Sequence, residues 1–369
     1  MEQERPAADS KQDLLTRGDY RFVLAWVAGL LLLYAVGVLV GTGLLARYTA
    51  ETEMIRQLRL QSPGIGLNAP VPGPDVSKQG KPVDVLVGIS VRRVGDFALR
   101  ESAWTSDFNI WFRWPKNAVN PGEDFRIVNG QIQQREKVDS EERGPQRYEE
   151  YHVVARMMKA FDGARFPVAD EALLIQVEDI AHPLQALRYE ADARNSYVGP
   201  ESMPPNVRLI KSLATVKMQS TRSEGKTKVH SQFVFAMLVA PNSASIYLKL
   251  FQALFASVAI ALVALYIRPI HIDARFGLPV GGFFASVGNI VAIASLLPPA
   301  NRLALSDMVN MVGLVTIFLV LVQSVISLYL FDTMGRDRLS RLFDRVSFTV
   351  LLLGYVAANV ALPLAARPA

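Results

Sequence analysis

One apolar segment, residues 273 to 299, carries the residue types that could handle ions inside a membrane. It reads DARFGLPVGGFFASVGNIVAIASLLPP and joins an acid and a base to four glycines and an internal proline, Pro279. If residues 275 to 297 form a helix, their spacing places one set of side chains on a single stripe: Gly277, Gly281, Phe284, Gly288, Val291 and Ser295. Asp273 lies one turn before this stripe. A ring of carboxylates attracts cations, and a ring of apolar side chains closes a pore by dewetting.

The same stripe has a second interpretation, in which it packs against another helix. Small residues let membrane helices approach closely, and Gly277 with Gly281 forms a G-x-x-x-G motif. Taken alone, the stripe favours packing, whereas the acid and the base at the end of the span, together with the order of the parts of the chain described below, favour a pore lining. Pro279 falls near the first turn, where its missing N–H costs no helical hydrogen bond, so it predicts no kink.

Other residues whose side chains could bind metals or catalyse a reaction are scattered along the chain. The four histidines have no metal-binding spacing, so the sequence predicts no metal site and no cofactor. The pairs Glu141 with Glu142 and Glu149 with Glu150 are predicted to be solvated charges, because no buried partner is evident for them. Since no phosphate loop, nucleophile triad or nucleotide fingerprint is present, the sequence predicts no enzyme.

Composition places these residues in a membrane protein. Half of the 369 residues are apolar, and the mean hydropathy is +0.21. Five runs are long enough to cross a hydrocarbon layer of about 30 Å, namely residues 22 to 46, 247 to 267, 276 to 297, 308 to 331 and 347 to 364. The first run could also be a cleaved signal peptide, but its apolar region exceeds the usual length of about 7 to 15 residues, which favours a retained anchor.

Basic residues between these runs predict the orientation. Most of the Lys and Arg residues of the short segments fall on one side: Arg5, Lys11, Arg17, Arg21, Arg268, Arg275, Arg336, Arg338, Arg341 and Arg345. The other side has Arg302 and Arg367. The positive-inside bias therefore predicts a cytoplasmic N-terminus and an extracytoplasmic insert of about 200 residues. The net charge of +5 lies partly in these cytoplasmic segments, so it predicts no nucleic-acid partner.

The large insert has the texture of a β domain. Alternating runs such as VDVLVGISVRRV and DFNIWFRW are separated by turn residues, which predicts an all-β sandwich. We therefore expect a cytoplasmic terminus at 1–21, a membrane helix at 22–46, a linker at 47–81, a sandwich at 82–243 and a four-helix transmembrane bundle at 244–366. The absence of cysteine means that the sandwich must be held by its core alone.

The order of these parts resembles the pentameric ligand-gated ion channels, the Cys-loop receptor superfamily. VDVLVGISVRRVGDFALRESAWTSDFNIWFRW is similar to the first two strands of the family's ligand-binding domain, and FDGARFPVADEALLIQVED to its signature loop. LLPPANRLALSD resembles the turn that leaves the pore helix, and RDRLSRLFDRVSF the entry to the last helix of prokaryotic members. The resemblance spans roughly residues 82 to 366, and the first membrane span has no counterpart in it.

The resemblance implies a homopentameric channel of a bacterial inner membrane, gated by an unknown small ligand. It places the stripe against the pore, with Asp273 at the cytoplasmic mouth and Arg275 pointing away from the axis. Inorganic cations would be the permeant ions and membrane lipid the surrounding partner. A membrane-anchored sensor or accessory subunit that kept the fold and lost conduction is the alternative.

Two further sets of residues acquire expected roles from the resemblance. Coupling between the domains is expected at the turn Arg93 to Ala98, at the loop Phe161 to Asp170 with Phe166 and Pro167 at its tip, and at the turn Pro298 to Asp307. Alternation along the second strand turns Trp111 away from Phe112 and Trp114, either into packing or towards a ligand pocket at a subunit interface.

Overall fold

The residues that the structure describes form ten strands and six helices, which belong to two compact units. The computed structural model describes residues 15–61, 82–116, 119–223, 226–297 and 302–367. The helical unit takes the chain up to Ala50, the loop Gly163–Val168 and the chain from Ala244 onward, and the β unit takes the rest. The predicted linker beyond residue 61, most of the predicted cytoplasmic terminus and Pro298 lie outside the described residues.

The β unit consists of two sheets whose inner faces share one core. In chain order its elements are β1 Val83–Ala98, β2 Ala103–Pro115, α2 Pro121–Asp124, β3 Phe125–Ile127, β4 Gly130–Arg143, β5 Gln146–Met158, β6 Glu171–Asp179, β7 Leu187–Ala191, β8 Tyr197–Val198, β9 Val207–Ser223 and β10 Lys226–Pro241. One sheet has the order β4-β5-β2-β1-β7, with β8 also paired to β1, and the other has the order β3-β6-β10-β9. The predicted sandwich is confirmed.

Alternating apolar residues hold the two sheets together. In β1, Val85, Val87, Ile89 and Val91 are all fully buried, as the period of two requires for one face of a half-buried strand. Phe235 from β10 joins them in the same core, across from the sheet that contains β1. The cysteine-free sandwich therefore depends on burial of apolar surface, which is the dominant favourable contribution to folding.

Helices of membrane-spanning length make up the helical unit. They are α1 Arg17–Gln61, α3 Ser243–Val263, α4 Ile272–Leu296, α5 Leu305–Leu328 and α6 Asp337–Ala365, with a short 3-10 turn after α3 and a π turn after α5. All five are long and apolar enough to cross a membrane. The chain is therefore a multi-pass membrane protein with a β-sandwich domain, and the predicted fold class is confirmed.

Helix α1 is bound to the last two helices by side-chain hydrogen bonds. The Trp26 indole donates to the Ser347 hydroxyl of α6 at 3.1 Å, and the hydroxyls of Tyr34 and Thr316 of α5 lie 2.7 Å apart. Gly354 of α6 faces the ring of Tyr34, and a Cβ atom there would lie 2.6 Å from a ring carbon. The first span is therefore an integral part of the helical unit.

The structure corrects the prediction made for Glu149. Its side chain is buried on β5, where the Tyr151 hydroxyl donates to it at 2.6 Å and Lys137 and Arg147 lie within 3.1 Å. Burial by itself would raise the pKa of Glu149, but the hydrogen bonds and positive charges of these neighbours outweigh it and lower the pKa. Glu149 is therefore a buried, paired carboxylate of the sandwich.

Because the folded-state pKa of Glu149 is lowered, its charge stabilises the fold above the ordinary glutamate pKa, and this contribution is lost as the pH falls through the folded value. We expect Glu149→Gln to lower the melting temperature at pH 7, with a difference from wild type that shrinks below about pH 4.3. Thermal unfolding followed by tryptophan fluorescence at several pH values measures this. Glu150→Gln, on the less buried side of the strand, is the control, and a pH-independent difference would contradict the assignment.

Candidate functional site

Two opposite faces of α4 have opposite environments. The face that contains Arg275, Gly282, Ser286, Asn289 and Ile293 is buried within the helical unit. Every member of the predicted stripe is exposed in the single chain: Asp273, Gly277, Gly281, Phe284, Gly288, Val291 and Ser295. Phe284 and Val291 are 68% and 65% exposed, which is high for large apolar side chains. The stripe is therefore directed at whatever surrounds the protomer.

The space around each glycine of α4 shows whether the stripe packs against another helix of the same chain. A Cβ atom built on Gly277, Gly281 or Gly288 would meet nothing within 4 Å. A Cβ atom on the neighbouring Gly282 would lie 2.8 Å from the backbone oxygen of Ser257 in α3. The glycine that permits close helix packing is thus Gly282, and the G-x-x-x-G pair of the stripe packs against no helix of the same chain in the described residues.

A buried ion pair fixes the rotation of α4. The guanidinium of Arg275 is fully buried and donates to both carboxylate oxygens of Asp344 in α6, at 3.0 and 2.5 Å. It also donates to the carbonyl of Ile267 at 2.7 Å. This pairing turns Arg275 into the bundle and leaves Asp273, two residues away, exposed on the other side.

Hydroxyl and amide groups complete the surroundings of Asp344. Gln323 donates to Asp344 Oδ1 at 3.3 Å and Ser327 donates to Oδ2 at 2.8 Å, both from α5. The Ser327 hydroxyl also lies 2.8 Å from that of Ser340 on α6. A second polar contact, from Asn289 Nδ2 to Asn310 Oδ1 at 3.2 Å, links α4 and α5. Buried polar groups in membrane-spanning helices are costly unless they are paired, and here they join three helices.

The predicted coupling loop lies between β5 and β6. Its residues are divided between the two units. In the β unit, the ring of Phe161 packs against the sandwich core, and Glu171 accepts hydrogen bonds from Lys159 and from the Asp162 N–H. Asp170 is half-buried just before β6. The base of the loop is thus anchored in the sandwich.

The tip of the same loop belongs to the helical unit. The carbonyl of Ala164 accepts a hydrogen bond of 2.7 Å from the backbone N–H of Leu305, the first residue of α5. Phe166 is half-buried, and Pro167 is buried. The Asp307 carboxylate accepts the Ala304 N–H at 2.9 Å and so caps α5 at the residue before the one that the loop contacts. A role in transmitting movement stays a prediction for this loop and for the turn Arg93 to Ala98.

Trp111 lies on the face of its strand that points away from the core. Its ring rests on Gly88 of β1, where a Cβ atom would be 2.3 Å from the ring, and its indole donates to Asp192 at 3.3 Å. Only 9% of the residue is exposed. The ring is therefore largely covered by its own chain, and its part in a ligand pocket stays a prediction.

No protein-family model matches the chain, and no curated protein matches it in sequence. The protein is therefore classified by its architecture alone. Along the chain, one apolar helix precedes a β-sandwich and four apolar helices follow it.

The ion pair between Arg275 and Asp344 predicts an unequal effect of two similar substitutions. Asp344→Asn leaves a buried guanidinium without its carboxylate, which we expect to destabilise the protein by about 3 to 5 kcal/mol. Asp273→Asn removes an exposed carboxylate from the same end of α4 and should change stability by less than about 0.5 kcal/mol. Denaturation of the purified protein in detergent compares them, and equal stability of the two variants would contradict the buried pairing.

Proposed function

We propose that this chain is the subunit of a homopentameric, cation-selective ion channel whose β domain binds the gating ligand. The observation that carries the proposal is the outward face of α4, which presents Asp273, small residues and Phe284 while the opposite face holds the packing glycine and the ion pair. The resemblance of the chain to pentameric ligand-gated channels supports the placement of that face around a central axis. In this arrangement Asp273 concentrates cations at one mouth, and Phe284 forms the apolar constriction.

A lipid-facing role explains this face less well. A surface that meets acyl chains gains from large apolar side chains, yet the stripe has three glycines and a serine, and a carboxylate at its end. Helix α1, by comparison, exposes the large side chains Leu24, Leu31, Leu32 and Leu39, as a lipid-facing helix should. The contrast between α1 and α4 supports a water-facing stripe on α4.

The gating step of the proposal uses the loop Gly163–Val168. A ligand opens a channel only to the extent that it binds the open state more tightly than the closed state. The hydrogen bond from Leu305 to Ala164 joins the loop to the start of α5, and Asn289 of α4 contacts α5 in turn. A displacement of the loop would reach the α4 stripe through these contacts.

A non-conducting sensor or accessory subunit is the second candidate, and one observation favours it. The stripe has a single hydroxyl, Ser295 near the end of α4, and the other serine of the helix, Ser286, is buried and donates to the carbonyl of Phe283. Most of the stripe therefore offers permeant ions no oxygen ligand. The membrane location and the β domain of the protein would be the same for a channel and for a non-conducting subunit.

Current recording from the purified protein in planar bilayers tests the proposal. Phe284→Ala should raise the spontaneous current, because it removes the apolar constriction and lowers the dewetting barrier. Asp273→Asn should move the reversal potential in a KCl gradient towards zero, because one carboxylate per subunit is lost from the mouth. Phe283→Ala is the matched control, since Phe283 is also exposed but lies beside the stripe. Assembled oligomers that stay silent in wild type and in all three variants would establish the non-conducting alternative.

Reporter fusions test the orientation that the basic residues predict. A reporter after Arg17 or at Asp337 should read cytoplasmic, and one inserted near Ser140 of β4 should read periplasmic, because the chain crosses the membrane once between Arg17 and the sandwich and four times after it. A periplasmic signal at Asp337 would contradict the five-span topology.

A further inference from the structure

One end of the β unit gathers two carboxylates and an imidazole. Asp124 ends the helical turn α2, Asp179 ends β6, and His182 follows three residues later. One ligand atom from each of the three side chains lies within 4.8 Å of the other two. His182 Nδ1 is 3.0 Å from Asp179 Oδ1, and the same oxygen accepts the His182 backbone N–H at 2.7 Å.

Backbone pairing holds the cluster in place. Phe125 of β3 is the antiparallel partner of Asp179, so Asp124 directly precedes the residue opposite Asp179. The N–H of Ile180 donates to the carbonyl of Asp124 at 3.0 Å and closes the ladder on the other side. The two aspartates are therefore neighbours by the register of the sheet, and the cluster does not depend on a long loop.

Polar atoms without partners point to a missing ligand. Asp179 is 1% exposed, yet its Oδ2 has no hydrogen-bond partner among the described residues, and neither has the hydroxyl of the buried Tyr189. A buried carboxylate oxygen without a partner is costly, so such an atom calls for an explanation.

Positive charge that would offset the aspartates is also lacking. Within the described part of the chain, no Lys or Arg forms an ion pair with Asp124 or Asp179; Arg126 pairs instead with Glu178, at 3.4 Å. His182 is the one basic group that contacts Asp179 in this part of the chain. A bound cation would neutralise the two carboxylates and give Asp179 Oδ2 a partner.

We propose that Asp124, Asp179 and His182 bind a divalent transition-metal cation of the zinc type. Two carboxylate oxygens and an imidazole nitrogen suit such a metal, with water at the remaining position, whereas Ca²⁺ favours an all-oxygen shell. Ligands at about 2.1 Å from zinc must lie closer together than the present side chains do. The half-buried side chains of Asp124 and His182 can make this approach, while Asp179 Oδ1 keeps the His182 N–H.

The site would add a metal bridge between three pieces of chain that already meet through backbone pairing and a few side-chain contacts. It joins α2 and the start of β3 to the end of β6 and to the segment that leads into β7. Binding of the metal to the folded state alone stabilises that state in proportion to the logarithm of the metal concentration. This inference does not depend on ion conduction, because the residues lie in the β unit alone.

Isothermal titration calorimetry of the full-length protein in detergent, after treatment with a chelator, tests the site with ZnCl₂. We expect one zinc per chain for wild type and at least a tenfold loss of affinity for Asp124→Asn and for His182→Gln, in line with the roughly 10- to 100-fold cost of weakening a metal site. The matched control is His152→Gln. His152 lies 2.7 Å from Asp107, a similar pair that no third metal-ligating side chain joins among the described residues.

Thermal melting shows whether a variant is folded, and so whether a loss of zinc binding comes from the site or from misfolding. Zinc should raise the melting temperature of wild type and of the His152 variant, and should not raise that of the two site variants. Three results would overturn the proposal: no zinc binding by wild type, unchanged affinity in Asp124→Asn and His182→Gln, or binding of Ca²⁺ without binding of Zn²⁺. Because the readouts are heat and melting, a silent channel leaves this result unaffected.

Discussion

The ion pair between Arg275 and Asp344 is the interaction on which the arrangement of the helical unit depends. A guanidinium with no exposed surface in a membrane-spanning bundle must keep its carboxylate, since either charge alone would be costly there. The pair therefore fixes which side of α4 faces α5 and α6. The stripe from Asp273 to Ser295 is exposed as a consequence, because a helix that turns Arg275, Gly282 and Asn289 inward must turn the stripe on its opposite side outward.

Hydropathy and periodicity predicted much of this fold, and the errors have identifiable causes. The five spans and the buried side of β1 follow from runs of apolar residues and from alternation. Helix α6 begins at Asp337, ten residues before the predicted run, because its first turns are charged and carry no hydropathy signal. Strand β4 was not predicted because it is a polar edge strand, GQIQQREKVDSEER, and edge strands tend to carry charge.

Residues that act through distant partners are the least visible from sequence. Nothing near Glu149 in the chain shows that Lys137 of the neighbouring strand will lie 3.1 Å from it. Asp344, the partner of Arg275, is 69 residues away, and the neighbours Asp124 and Asp179 come together only through the register of β3 and β6. The stripe of α4 was visible because its members share one helix, whereas the grouping of Asp124, Asp179 and His182 was not, because its members meet only at a sheet edge.

The contacts of α1 can form only late in biosynthesis, because its partners lie in α5 and α6, which are synthesised after it. Trp26 and Tyr34 enter the membrane with α1, which is synthesised before α5 and α6, and the Trp26 partner, Ser347, lies 321 residues later in the chain. Synthesis proceeds at about 5 to 20 residues per second, so α1 resides in the bilayer for many seconds before α6 exists. During that interval the indole and phenol groups need other hydrogen-bond partners, in lipid headgroups or in the insertion machinery. The hydrogen bond from Trp26 is thereby tied to completion of α6, and a chain that stops short of α6 would keep the Tyr34 contact with α5 but leave Trp26 without Ser347.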